Sequence, residues 1–252
     1  MKYLFYILFL SIIFACSNDD SQVNLDPNNL ADYITLNRNL ELDEVIACAG
    51  GRAIGLFDGD LDPTSVIYYP IEGSSEIRYF ETDTVLDSTD FSLYTAIELP
   101  SEPLFNGFLA KFNNPSFDGE KQAIVTYLTE GRLHISNPIT MKTNTKPSEV
   151  NAELLDIEVN NVNPRFSWQA GIFDENAIYF QVVSDEQGNL ISGTYTFEEN
   201  FTFYELDNVV LNITDPNSNP TLEPNTNYQF TLMGVSVDNW VNLLIEQEFT
   251  TP

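Results

Sequence analysis

The chain has 252 residues, of which 43% are hydrophobic, and these include 18 Phe and 12 Tyr. This content is enough for one large or two smaller domains, and it excludes a disordered chain, which needs low hydrophobicity as well as high charge. The 38 acidic residues far outnumber the 10 basic ones. A surface this negative repels nucleic acid and anionic lipid head groups, so we expect no nucleic-acid partner.

The N-terminus has the pattern of an export signal. Lys2 precedes an apolar run over residues 3–14, which is shorter than the roughly 20 residues that cross a bilayer. The run ends in Ala15-Cys16, and the polarity changes at once in Ser17-Asn18-Asp19-Asp20. This resembles the lipobox of bacterial lipoproteins and implies removal of residues 1–15 and lipid attachment to Cys16. An ordinary signal peptide and an uncleaved anchor are the alternatives.

The resemblance also implies a location. Asp19 and Asp20 are similar to the acidic signals that send some lipoproteins to the outer face of the outer membrane. The implied protein is therefore lipid-anchored to the outer membrane of a bacterial cell envelope and exposed at the surface. Its first partner is the membrane itself, through the N-terminal lipid.

Residues 16–41 are rich in Asn, Asp and Ser. They predict an acidic flexible tether with one helical turn over residues 30–36.

From residue 42 onward the pattern is that of β-strands. Two hairpins are predicted: residues 65–69 with 76–80, and residues 123–128 with 133–135 around Gly131. Another strand is expected over residues 105–112. Because no long stripe of apolar residues has the helical period, we predict an all-β fold with an N-terminal β-sandwich over residues 42–145.

The polar segment around Pro147 marks a domain boundary, and a second β domain is expected over residues 148–252. An early strand of this domain ends in Trp168, a Leu222-Glu223-Pro224 turn precedes Tyr228, and the last strand ends at Thr250. These features resemble fibronectin type III domains, an immunoglobulin-like sandwich in which Trp168 fills the space between the sheets and the Tyr228 hydroxyl reaches the backbone at a corner. Residues 197–213 and 215–220 depart from the family as insertions.

Asp58, Asp60 and Asp62 are the most suggestive polar motif, because alternate carboxylates can converge on a hard cation such as Ca²⁺. Pro63 and Tyr69 stand where an EF-hand loop needs Gly and Glu, so the alternatives are a looser calcium site or a solvated acidic turn. Calcium is the one cofactor that the sequence suggests.

Trp240 lies in the loop before the last strand. There an exposed ring would stack on a sugar or anchor a protein, and a buried ring would pack on the sandwich.

Two further residues bear on catalysis. His134 is the only histidine, which excludes multi-histidine metal sites and favours a structural role in a strand. Cys48 lies in an apolar stretch and is expected to be a small buried side chain rather than a reactive thiol.

No phosphate-binding glycine loop, serine elbow or zinc motif is present. The sequence therefore favours a non-catalytic binding or spacer module that contacts a glycan or an envelope protein. The alternative is a hydrolase that acts on polysaccharide with paired carboxylates in the N-terminal domain.

Overall fold

The computed structural model describes residues 24–51, 64–114, 119–215 and 220–252, and over these residues the protein is all-β. Within these ranges one α-helix, α1, spans Leu30–Leu36, and two 3-10 turns span Phe91–Leu93 and Ala152–Leu154. The strands, in chain order, are β1 Glu41–Val45, β2 Ala47–Gly51, β3 Thr64–Tyr68, β4 Ser75–Glu81, β5 Thr95–Ile97, β6 Ser101–Leu104, β7 Leu109–Asn114, β8 Lys121–Thr129, β9 Arg132–Ser136, β10 Ile139–Met141, β11 Glu149–Val150, β12 Leu155–Glu158, β13 Arg165–Trp168, β14 Asn176–Asp185, β15 Leu190–Thr196, β16 Asn200–Thr202, β17 Val209–Asn212, β18 Asn227–Ser236 and β19 Val241–Thr250.

The described strands form four sheets. Sheet A has the order β1-β9-β8-β4-β5, with β10 also paired to β8, and sheet B has the order β2-β3-β7-β6. Sheet C has the order β11-β19-β18-β14-β15-β17, and sheet D has the order β12-β13-β16. The pairs β1–β9 and β11–β19 are parallel, and the other ladders are antiparallel. The predicted pair of β-sandwiches is confirmed, with sheets A and B in the first and sheets C and D in the second.

Sheets A and B enclose the core of the first sandwich, whose large members include Tyr68, Tyr79 and Phe112. The hairpin predicted between residues 65–69 and 76–80 is wrong, because β3 pairs with β2 and β7 in sheet B whereas β4 pairs with β5 and β8 in sheet A. The Gly73 turn therefore carries the chain from one sheet to the other. The hairpin between β8 and β9 is confirmed, with Gly131 at φ 79° in its turn.

The second sandwich has the predicted fibronectin type III-like architecture, with three strands of sheet D packed on sheet C. Trp168 is 5% exposed and contacts Tyr179 and Phe230 across the core. The Tyr228 hydroxyl accepts a hydrogen bond of 2.8 Å from the backbone N–H of Glu223. Both details confirm what the resemblance implied for these two side chains.

The sequence pattern suggested that residues 197–213 are an insertion, and this prediction is wrong. They contain β16, which pairs with β13 and completes sheet D, and β17, which adds an edge strand to sheet C. Phe201 and Phe203 are buried in the core of the second sandwich. Burial of apolar side chains therefore holds the segment in place, although its composition is acidic.

The helical turn predicted for residues 30–36 is confirmed as α1, and Asn29 caps it by accepting hydrogen bonds from the N–H groups of Ala31 and Asp32. The prediction of a flexible tether up to residue 41 is wrong for residues 24–40. Leu30 and Tyr33 are buried against the outer face of sheet A, and the Arg78 guanidinium donates to the Pro27 carbonyl. Apolar contacts thus fasten this segment to the first sandwich.

Sheets B and C pack directly on each other, so the molecule is layered in the order α1, A, B, C and D. The interface is apolar, and its buried members include Ile67, Leu109, Phe180, Met233 and Leu244. Because each fully buried aliphatic or aromatic side chain contributes about 1.5–3 kcal/mol, we infer that the two sandwiches pack as one unit.

Backbone hydrogen bonds to the turn between β18 and β19 also join the sandwiches. The Ala49 N–H donates to the Asn239 carbonyl at 2.9 Å, and the Thr140 N–H donates to the Asp238 carbonyl at 3.0 Å. Both acceptors lie in the turn between β18 and β19, so this turn of the second sandwich is fixed against the first.

Candidate functional site

A cavity of about 210 Å³ lies where sheets B and C meet. Both sandwiches contribute to its wall, chiefly through aliphatic and aromatic side chains. The first supplies Cys48, Ile67 and Tyr69, and the second supplies Phe180 and Tyr195. The site therefore depends on both domains and on the way they pack.

The alternation of side chains along each strand explains how these residues come to face the cavity. In β3, Val66 and Tyr68 point into the first core, so Ile67 between them faces sheet C. In β14, Tyr179 belongs to the second core and Phe180 to the interface. These strands are buried on both faces, and the cavity lies on the faces that neither sandwich core uses.

The ionisable groups deep in the cavity wall are held in their neutral forms. Burial raises the pKa of the Cys48 thiol to about 12. Burial, and then the nearby Cys48, raise the pKa of Tyr195 well above its ordinary value of 10. A thiolate nucleophile is therefore disfavoured at neutral pH, as the sequence predicted for Cys48.

The mouth of the cavity has a different character. Glu44 and Asn137 line the cavity and are exposed, and Leu211, which also lines it, is 41% exposed. Among the lining residues that the structure describes, Glu44 is the one carboxylate. The site thus combines an apolar interior with an acidic group where it opens to solvent.

Trp240 does not offer an exposed ring. It is 0% exposed and belongs to the core of the first sandwich, although it lies between the last two strands of the second. Its indole N–H donates to the Lys146 carbonyl at 2.7 Å. The packing alternative is the one the structure shows. The ring is unavailable for stacking because apolar burial of so large a side chain stabilises the fold strongly.

His134 is 2% exposed in β9, as a structural histidine would be. Its ring stacks on Tyr127 with centroids 4.6 Å apart, and its Nε2 shares a 2.9 Å hydrogen bond with the Thr129 hydroxyl. Nδ1 is buried and has no hydrogen-bond partner among the described residues. Within that part of the chain, therefore, no carboxylate orients the ring as in a catalytic triad.

Sequence reasoning missed a partly buried polar cluster around Glu81 in the first sandwich. Its carboxylate accepts hydrogen bonds from Lys121 Nζ at 2.9 Å, from the Tyr79 hydroxyl at 3.0 Å and from Asn114 Nδ2 at 2.7 Å. Burial, and then Glu81, raise the pKa of Tyr79 well above 10. These partners of Glu81 are a cation and two neutral donors rather than a second acid, unlike the paired carboxylates of a glycosidase.

Cys16, Asp58, Asp60 and Asp62 lie outside the described residues, so the lipid site and the calcium site remain predictions. Within the described ranges, no group of three or more His, Cys, Asp or Glu side chains is arranged to hold a metal ion. None of the helices in the described part of the chain is long and apolar enough to cross a membrane.

Comparison with known proteins adds little to these observations. No known protein family and no curated protein matches the chain. Among solved structures, the 47-kDa lipoprotein Tp47 of Treponema pallidum is 8% identical, with a TM-score of 0.29 over 82% of this chain and 51% of that one. The FN1–FN3 domains of chicken CNTN1 are 10% identical, with a TM-score of 0.30 over 84% of this chain and 68% of that one.

A laminaripentaose-producing β-1,3-glucanase of glycoside hydrolase family 64 from Paenibacillus barengoltzii is 9% identical, with a TM-score of 0.26 over 77% of this chain and 50% of that one. The chain thus spans about half the length of the treponemal lipoprotein and of the glucanase. Scores this low leave function to be argued from the chain's own residues.

Proposed function

We propose that the chain is a lipid-anchored protein of a bacterial outer membrane, exposed at the cell surface, which acts as a non-catalytic binding or spacing module. The observation that carries the proposal is the apolar run that ends at Cys16 and is followed directly by Asp19 and Asp20. Each acyl methylene that enters a bilayer contributes about 0.8 kcal/mol, and more than one chain makes the attachment durable.

The chemistry of the two sandwiches supports binding over catalysis. The interdomain cavity has the apolar interior and sparse polar rim of a small-molecule site. The Cys48 thiol in its wall is protonated at neutral pH because burial raises its pKa to about 12. The strongly acidic composition supports exposure to solvent and disfavours a nucleic-acid partner.

Labelling with a radioactive fatty acid tests the anchor, and the two cysteines provide a matched pair. Cys16→Ala should abolish the label and release the protein from the membrane fraction. Cys48→Ala should leave both the label and the membrane association unchanged. Labelled, membrane-bound Cys16→Ala protein would contradict the proposal.

Surface exposure and binding are tested separately. Protease added to intact cells should degrade the protein, and survival until the outer membrane is permeabilised would contradict exposure. A glycan array with the chain from residue 17 onward, run with and without calcium, tests the sugar version. Binding that needs calcium would support a role for Asp58, Asp60 and Asp62, and silence on all glycans would favour a protein partner or a spacer.

A further inference from the structure

We propose that the cavity between sheets B and C binds a small arylalkylamine, with its aromatic ring inside and its ammonium group beside Glu44. The inference deepens the binding role proposed above by naming a ligand class. It does not depend on the lipid anchor, since the cavity is built entirely from described residues.

The size of the cavity suits a single ring with a short side chain. An apolar cavity of about 150 Å³ lined by Leu, Ile and Phe is known to bind benzene. The cavity here is larger, at about 210 Å³, so a benzene ring leaves room for a linker of one or two carbon atoms. That length carries a substituent from the interior toward the exposed rim.

The wall favours an aromatic ring over a flexible chain. Phe180 and Tyr195 are stacked with centroids 4.4 Å apart, and Tyr69 packs with Phe108 at 5.5 Å. A ligand ring entering beside these side chains gains offset or edge contacts in addition to the burial of apolar surface. Its own rigidity also lowers the entropy lost on binding.

Charge selects the polar end of the ligand. Glu44 is exposed at the rim and is the one carboxylate among the described lining residues. The interior offers no cation among those residues, and the chain as a whole has a formal charge of −28. An ammonium group is therefore attracted to the rim, whereas a carboxylate is repelled from it.

Three ligands of similar shape and different charge test the proposal: 2-phenylethylamine, 2-phenylethanol and phenylacetate. Binding to the chain from residue 17 onward is measured by NMR titration and calorimetry, with the signals of Ile67 and Met233 as reporters of the cavity. The amine should bind best, the alcohol a few-fold more weakly and the acid most weakly. The preference for the amine should be about fivefold at most, because an exposed ion pair contributes little.

Two variants and one control separate the contribution of the interior from that of the rim. Glu44→Gln should lower the affinity for the amine to that for the alcohol and leave the affinity for the alcohol unchanged. The control Glu130→Gln removes an exposed carboxylate of the β8–β9 turn and should change neither affinity. Cys48→Phe should fill the cavity and lower the affinity for all three ligands at least about tenfold, because the added ring occupies the space that a ligand ring needs. If that variant fails to fold, Glu44→Gln and the reporter signals still decide.

The proposal is overturned by three results: no binding of the amine at millimolar concentration, an equal or stronger affinity for phenylacetate, or an amine affinity that Glu44→Gln leaves unchanged. None of these results bears on the fatty-acid labelling of Cys16. Failure of the cavity proposal and failure of the anchor proposal are therefore distinguishable.

Discussion

The two sandwiches change sheet equally often along the chain, but their antiparallel pairs of consecutive strands differ in length. In the second, the long neighbours β14–β15 and β18–β19 are antiparallel pairs of consecutive strands. In the first, the antiparallel pairs β2–β3, β4–β5 and β6–β7 are shorter, and the chain changes sheet after each of them. Consecutive hairpins are visible in a local sequence pattern, whereas repeated crossings depend on contacts between distant residues.

The sandwiches also differ in whether the core of each depends on a side chain from the other. The second supplies Trp240, from the loop before its last strand, to the core of the first. The first core is therefore incomplete without the second sandwich, whereas the second core is built from its own strands and the residues beside them.

The largest expected effect comes from removing that shared side chain. Trp240→Ala should lower the free energy of unfolding by about 3–5 kcal/mol, the usual range for truncation of a buried Trp. Hydrogen exchange should accelerate in β2, β3 and β7 of the first sandwich. Trp168→Ala is the matched control, and its local effect should centre on sheets C and D. Unchanged exchange in sheet B of Trp240→Ala would contradict the dependence of the first core on the second.

A smaller effect is expected at the corner of the second sandwich. Tyr228→Phe removes the acceptor of the Glu223 N–H and should lower the free energy of unfolding by about 1 kcal/mol. Urea denaturation measures it. The Tyr204 hydroxyl accepts a hydrogen bond from Asn212 at a more exposed site, so Tyr204→Phe should lower the free energy of unfolding by less. If both variants lose the same stability, the corner contact has no special role.

The smallest expected effect concerns the ion pair between Lys142 and Asp238, which joins the two sandwiches. Burial raises the pKa of Asp238, but hydrogen bonds from Lys142 and Ser236 outweigh it and hold that pKa below its ordinary value of 3.8. A carboxyl whose pKa is lower in the folded state stabilises the fold above the unfolded-state value, and this contribution is lost as the pH falls through the folded-state value.

Asp238→Asn should therefore reduce stability at pH 7 by less than about 1 kcal/mol, because the pair is partly exposed, and it should flatten the decline of stability below about pH 4. Denaturation followed from pH 7 to pH 2 measures both effects. Asp207→Asn, in an exposed loop of the second sandwich, should alter the profile less. An identical acid profile in Asp238→Asn and the unchanged chain would contradict the assignment.

Several features of the fold were predictable because they depend on neighbours in sequence. Gly131 and the alternating residues around it predict the β8–β9 hairpin, and the spacing of Leu222 and Tyr228 predicts the corner. The crossing after β3 was mistaken for a hairpin because a Gly-containing turn also serves a chain that changes sheets.

The cavity was not predicted, although the sequence contains a signal for it. Val66-Ile67-Tyr68 and Leu243-Leu244-Ile245 are continuous apolar runs rather than alternating ones. Such runs are typical of strands that are buried on both faces, and they indicate a second layer against the sheet. Which layer packs there, and whether a space remains, depends on side chains from both sandwiches.

Residual dipolar couplings of backbone amides in weakly aligned protein test most directly whether the two sandwiches form one unit around the cavity. If they do, amides of β3, β7, β14 and β18 fit a single alignment tensor with the interdomain orientation of the structure. Two tensors of different magnitude, one for each sandwich, would show that the domains move independently and would contradict the account.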